Sequence, residues 1–153
     1  MRLRLIAVDK LRSAPIRALC EDFSMRLQPY FPCEIVEVRA ADGRSPEAAI
    51  GEEGERILRL ARDDEQLWLL DREGSALSSV QLSERIDGLN ATGISRLTLV
   101  VAGTYGASPA LQMRANFRWS LSTLTFLHEW ARALVLEQLY RAAKIARNEP
   151  YHH

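Results

Sequence analysis

Leu97-Thr-Leu-Val-Val101, followed by Ala102-Gly-Thr-Tyr-Gly106, is a short apolar run feeding a glycine-bearing turn. An apolar run of that length, bounded by turn residues, reads as a strand buried on both faces. A strand ending in glycines lets backbone N–H and C=O groups come close to a small ligand. Downstream lie Trp119-Ser-Leu-Ser-Thr-Leu-Thr-Phe126, then His128, a helical pattern to about Arg147, and Pro150-Tyr-His-His153. A Tyr-His pair outside any helix offers an aromatic ring and a titratable base. The last third of the chain thus carries a candidate ligand turn and a candidate reactive group.

Working outward, the same strand pattern recurs three times. Leu3–Val8 is apolar, Cys33–Val38 alternates, and Gln66–Asp71 is apolar and ends on an aspartate before a turn at Arg72-Glu-Gly-Ser75. Helical stretches separate these runs. Ser13 with Pro15 opens one, carrying Ile16, Leu19, Phe23 and Leu27 at helical spacing. Ser45-Pro46 opens a second that reaches about Arg62, and Ser78-x-x-Gln81 has the form of a capping box for a third that reaches about Leu89. Ser108-Pro109 starts another. The order βαβαβαβ plus a final helical region predicts one α/β domain over residues 1–153, with a mostly parallel sheet covered on both faces. Ligands of such open sheets sit beyond the strand carboxyl ends, here Val38, Leu70-Asp71 and Val101-Ala102.

Composition narrows the function. The 153 residues are 47% apolar, enough for a real core, and carry 20 basic against 20 acidic side chains. No broad positive field is available for indiscriminate nucleic-acid binding, so any such role needs local arginines and target shape. Met1–Val8 is too short and charged for a signal peptide, and no apolar run approaches membrane-spanning length. Cys20 and Cys33 form no C-x-x-C pair and read as reduced thiols of a cytoplasmic protein. No Walker sequence, G-x-S-x-G elbow or Cys/His metal spacing is present, so no metal is expected. The turn at 102–106 is not the dinucleotide fingerprint, which argues against a nicotinamide enzyme.

The reactive candidates each have a plain alternative. Ser120–Phe126 alternates like a fifth strand, yet its hydroxyls suit a tight loop that satisfies backbone groups. His128 and Glu129 open the last helix, where a histidine pKa is lowered and anions are favoured; a helix start without chemical duty is the ordinary case. Arg132, Arg141 and Lys144 follow on that helix. Its wide apolar surface, Ala131, Leu134, Val135, Leu139 and Ala142 beside Leu136, Tyr140 and Ala143, predicts burial on more than one side. A second copy of the chain would supply that side, so a homodimer is expected. Tyr151 and His152 either fray or close over a ligand.

Taken together, these segments resemble the RlmH-type ribosomal RNA methyltransferases of the SPOUT class. The likeness runs through Arg2–Val8, Gly51-Glu-Glu-Gly-Glu-Arg56, Leu70-Asp71 with Gly74, and Gly103 with Gly106. It is densest at Trp119–Thr125, His128, Arg132, Glu137–Ala142 and Pro150-Tyr-His152. The resemblance implies a C-terminal trefoil knot, a homodimer, and S-adenosylmethionine as cofactor. It implies methylation of N3 of a pseudouridine in helix 69 of 23S rRNA within the assembled ribosome. Carried over by position, Leu70, Ala102, Gly103, Gly106, Leu121, Ser122, Thr123, Leu124, Thr125 and Phe126 would line the cofactor. His152 or His128 would accept the imide proton, Tyr151 would stack on the base, and Arg132 and Arg141 would hold phosphate or carboxylate. The family's usual Gly-Gly is Ala102-Gly103 here, its usual proline is Leu127, and His153 stands where a basic residue is usual. A diverged relative that binds RNA or cofactor without methyl transfer is the alternative.

Overall fold

The computed structural model describes residues 1–153. The elements are β1 (Arg2–Val8), α1 (Ala14–Leu27), β2 (Cys33–Val38), α2 (Pro46–Leu58), β3 (Gln66–Ala76), α3 (Ser79–Ala91), β4 (Arg96–Val101), α4 (Pro109–Arg114), β5 (Phe117–Ser120) and α5 (His128–Ala146). All five strands are parallel, in the order β2-β1-β4-β3-β5. Strand alternation sorts the core onto two faces. Leu3, Leu5, Ala7, Leu97, Leu99 and Val101 meet Ile16, Cys20, Leu82, Ile86, Leu136 and Leu139 on the face covered by α1, α3 and α5. Ile6, Val8, Leu67, Leu69 and Val100 meet Ile57 and Leu111 of α2 and α4 on the other. Each fully buried leucine or isoleucine contributes roughly 1.5–3 kcal/mol.

The local start signals work as their chemistry requires. Ser45 Oγ accepts from the Ala48 N–H, Ser108 Oγ from Leu111, and Ser78 with Gln81 forms the reciprocal capping box. Ser13 does not cap α1 with its side chain; its N–H faces the Glu129 carboxylate instead, at 3.4 Å. α2 stops at Leu58, short of Arg62, because its last turn tightens and the Leu60 carbonyl is taken by Arg4 Nη1 at 3.0 Å. α3 runs on to Ala91 and is broken at Gly93, whose φ is +82°. Cys20 is buried and Cys33 half-buried, both free; burial pushes the Cys33 thiol up to about 12.

Two expectations are corrected by long-range contacts. The turn at Arg72–Ser75 is instead a continuation of β3 to Ala76 along β5, with a bulge that moves the partner of Trp119 from Leu70 to Ser75. Asp71 holds the bulge by pairing with Arg118 (Nε to Oδ2, 2.7 Å) and accepting from the Glu73 N–H at 2.9 Å. A Cβ on Gly74 would lie 2.4 Å from the Arg118 carbonyl oxygen, so only glycine passes there. Gly74→Ala is expected to cost about 1–3 kcal/mol; an unchanged urea midpoint would contradict this reading. The second correction concerns α5, whose wide apolar surface lies against both α1 and α3 of its own chain. That breadth therefore does not itself require a second subunit. No helix is long and apolar enough to cross a membrane.

Candidate functional site

The sheet changes direction between β1 and β4, and a crevice opens there beyond the strand carboxyl ends. A cavity of about 240 Å³ lies at this point, lined among others by Val8, Asp9, Glu53, Gly103, Tyr105 and His128. Asp9 sits at φ 69°, a left-handed conformation that aspartate tolerates. Gly103 closes a tight turn by accepting from the Gly106 N–H at 3.0 Å, and Gly106 has φ +93°. A Cβ on Gly103 would meet Glu53 Oε2 at 2.5 Å and Val8 Cγ1 at 3.2 Å. Ala102 is not left-handed, so its methyl carries no backbone strain. Glu53 is itself buried and accepts from the Ala41 N–H at 3.0 Å. Its sequence signal is a carboxylate on the apolar stripe of α2, between Ala49 and Ile57.

His128 is presented to this cavity by the first turn of α5, and two neighbours pin that turn. Glu129 Oε1 accepts from the backbone N–H groups of Arg12 and Ser13. These bonds, the Arg12 one first, hold its carboxyl below the usual range. The contribution is present above the unfolded value of 4.5 and is lost as pH falls through the lower folded value. Urea unfolding from pH 6 into the acid range is expected to show a shallower loss of stability in Glu129→Gln than in wild type. Identical acid slopes would contradict the assignment.

Arg132 is fully buried. Its Nη2 donates to the Val8 and Asp9 carbonyls at 2.7 Å each, and its Nη1 to Glu37 Oε1 at 2.9 Å. Its guanidinium is committed to the chain itself, which corrects the expectation of a phosphate- or carboxylate-holding arginine. It is a clamp that docks α5 against the ends of β1 and β2. Arg141 is likewise paired, with Glu137.

The expected cofactor residues fall into two adjoining groups. Ala102, Gly103 and Gly106 form the β4 turn, with Gly103 in the cavity. Leu70 and Leu121–Phe126 lie beside the β3 extension and do not line it. Residues 121–127 form a loop, not a continuation of β5, and from Thr123 onward it is exposed. Its hydroxyls organise it: Ser120 Oγ donates to the Arg72 and Ser122 carbonyls, Ser122 Oγ accepts from the Leu124 N–H, and Thr125 Oγ1 accepts from Arg72 at 2.8 Å. The N–H groups of Leu121, Ser122, Thr123, Thr125 and Phe126 have no acceptor within the chain. Such a row of free donors and carbonyls at strand carboxyl ends suits a flat heteroaromatic ligand read by backbone.

Tyr151 and His152 do not line this cavity. They follow the cap of α5, and the chain folds back there so that Tyr151 packs beside Glu137, Tyr140 and Arg141 of that helix. Tyr151 does not fray: its hydroxyl donates to Glu137 Oε1 at 3.0 Å and its ring meets Tyr140 edge-on at 4.9 Å. Burial, then the bond to Glu137, raises its pKa. Arg141 covers the ring at 4.7 Å, so Tyr151 anchors the segment here and is not a free stacking platform. His152 is exposed.

Known proteins place this arrangement. A family model described as "Predicted SPOUT methyltransferase" matches residues 1–152. The chain is 39% identical to a protein of Gloeobacter violaceus named ribosomal RNA large subunit methyltransferase H, over 100% of this chain and 99% of that one. It is 36% identical to the protein of the same name from Dictyoglomus thermophilum, over the full length of both. The likeness to that of Bifidobacterium adolescentis is 39% over 99% of each. With residues 1–152 matched by the family model and relatives 36–39% identical over essentially their whole length, the chain belongs to the SPOUT methyltransferase family.

Proposed function

We propose that this protein transfers a methyl group from S-adenosylmethionine to large-subunit ribosomal RNA, at N3 of a pseudouridine in helix 69 of the assembled ribosome. It acts in the cytoplasm as a homodimer, with its C-terminal part tied in a trefoil knot. The observation that carries this reading is the set of N–H groups of Leu121, Ser122, Thr123, Thr125 and Phe126 with no acceptor in the chain, at the carboxyl end of β5, in a chain of this family. The relatives' names supply the substrate class.

The cofactor supplies an electrophilic methyl on sulfur. Leu121–Phe126 would offer backbone groups to its adenine, Leu70 an apolar edge, and the Ala102–Gly106 turn further backbone groups. His152 takes the imide proton on an imidazole nitrogen, and Tyr151 holds the segment that presents it. In the proposed homodimer, one subunit's 150–152 segment completes the site of its partner, as the resemblance to the family implies. The near-neutral charge suits a target recognised by shape.

The test is transfer of tritiated methyl to ribosomes from cells lacking the endogenous enzyme, followed by mapping of the labelled base. Label on the helix 69 pseudouridine is the expected result. Cofactor binding with unlabelled ribosomes would overturn it in favour of a diverged binder.

A further inference from the structure

α5 ends in a left-handed residue. Asn148 has φ 52°, its N–H donates to the Ile145 carbonyl, and the Glu149 N–H donates to the Lys144 carbonyl, both at 3.0 Å. These are the two bonds of a Schellman cap. The cap turns the chain back so that Glu149 faces both α5 and the turn that follows α1. There its Oε2 accepts from the Tyr30 hydroxyl at 2.5 Å and from Lys144 Nζ. Lys144 also reaches the Tyr30 hydroxyl at 3.3 Å. The Arg147 guanidinium lies 4.6 Å over the Tyr30 ring, and Tyr30 meets Tyr140 edge-on at 5.9 Å. Tyr140 is the ring against which Tyr151 packs.

We propose that Tyr30, Lys144 and Glu149 form a latch that positions His152 for methyl transfer. One carboxylate ties the segment after α5 to two elements at once, and His152 lies three residues beyond it. Pro150 has a fixed φ, and Tyr151 is held on both its ring and its hydroxyl, so little freedom separates the latch from the imidazole. The three are positioning residues that do not touch substrate. Consistent with a shared charge-assisted bond, Glu149 is held below its usual pKa chiefly by Lys144, and Tyr30 above its own chiefly by Glu149.

This inference rests on the proposed role of His152, so its test has an arm that does not need turnover. Glu149→Ala is expected to lower kcat on ribosomes by on the order of tenfold or more, with the S-adenosylmethionine dissociation constant unchanged. Glu149→Gln, which keeps an acceptor for Tyr30, should recover much of the loss. Adding Tyr30→Phe to Glu149→Ala should cost nothing further, because the two act as one unit. In NMR spectra of the free protein, the His152 imidazole C–H signals should move to free-peptide positions in Glu149→Ala and stay in Glu149→Gln. Unchanged kcat in Glu149→Ala would overturn the proposal, as would loss of cofactor binding in parallel with kcat. Wild-type protein that never methylates ribosomes would instead defeat the proposed function, and unmoved His152 signals would then defeat the latch separately.

Discussion

His152→Ala is expected to lower methyl transfer to ribosomes by about 10²–10⁴-fold, the usual contribution of a positioned general base, while S-adenosylmethionine binds as tightly as before. The split follows from geometry. The cofactor candidates follow the carboxyl ends of β3, β4 and β5, whereas His152 follows the cap of α5 and does not line the cavity at the β4 turn. Truncating it removes no contact to the β4 turn or to the 121–126 loop. The side chain is exposed, so folding should be unaffected, and equal melting curves are the control. Calorimetry reads the cofactor and tritium transfer reads the chemistry. Equal turnover would discard the role and return attention to His128, which already lines the cavity beside Gly103. A mixed dimer of His152→Ala and a cofactor-site variant such as Gly103→Trp should regain part of the activity, because one subunit then contributes the base and the other the pocket. No recovery would argue that both groups must come from the same subunit.

Arg132→Met is expected to destabilise the fold by about 3–5 kcal/mol, chiefly the cost of leaving the Val8 and Asp9 carbonyls without their donor, at roughly 1–3 kcal/mol each. For a chain of this size that corresponds to a melting point lower by roughly 10 °C or more. Three acceptors take bonds from this guanidinium: the Val8 and Asp9 carbonyls and the Glu37 carboxylate, which also accepts from the Leu11 N–H. Lysine cannot serve all of them, since a single ammonium lacks the planar fork, so Arg132→Lys should recover little. The wild-type site is already near its limit, for the buried Nε has no acceptor. Replacing Glu37 with Gln in the methionine variant should restore part of the loss by removing the stranded charge. Thermal unfolding by circular dichroism decides it. A midpoint close to wild type in Arg132→Met would show that the clamp is dispensable.

Particular residues show what a reader of the chain alone can and cannot see. Ser45-Pro46, Ser78-x-x-Gln81 and Ser108-Pro109 announce helices because their bonds close within three residues. The apolar runs of β1, β2 and β4 are equally plain, since burial on both faces demands continuous hydrophobicity. Ala102–Gly106 is legible as a turn for the same local reason, its glycines marking it in the chain. Arg132 did not declare itself: a charge on a helix looks the same whether it meets phosphate or the carbonyl of a residue 124 positions away. Arg4, buried against Glu65 at 2.6 Å, was equally silent.

Local chemistry along the backbone, through caps, turn glycines and alternation of apolar residues, was enough to establish the α/β class and the order of the elements as far as β4. The tertiary fold alone set the strand order, ran β3 past its expected turn, made Arg132 a clamp, and folded Tyr151 back onto Glu137 and Tyr140. The physical reason is range. Hydrogen bonds within a few residues are dictated by neighbours in sequence, whereas a buried charge or a paired strand is chosen by whatever the folded chain brings beside it.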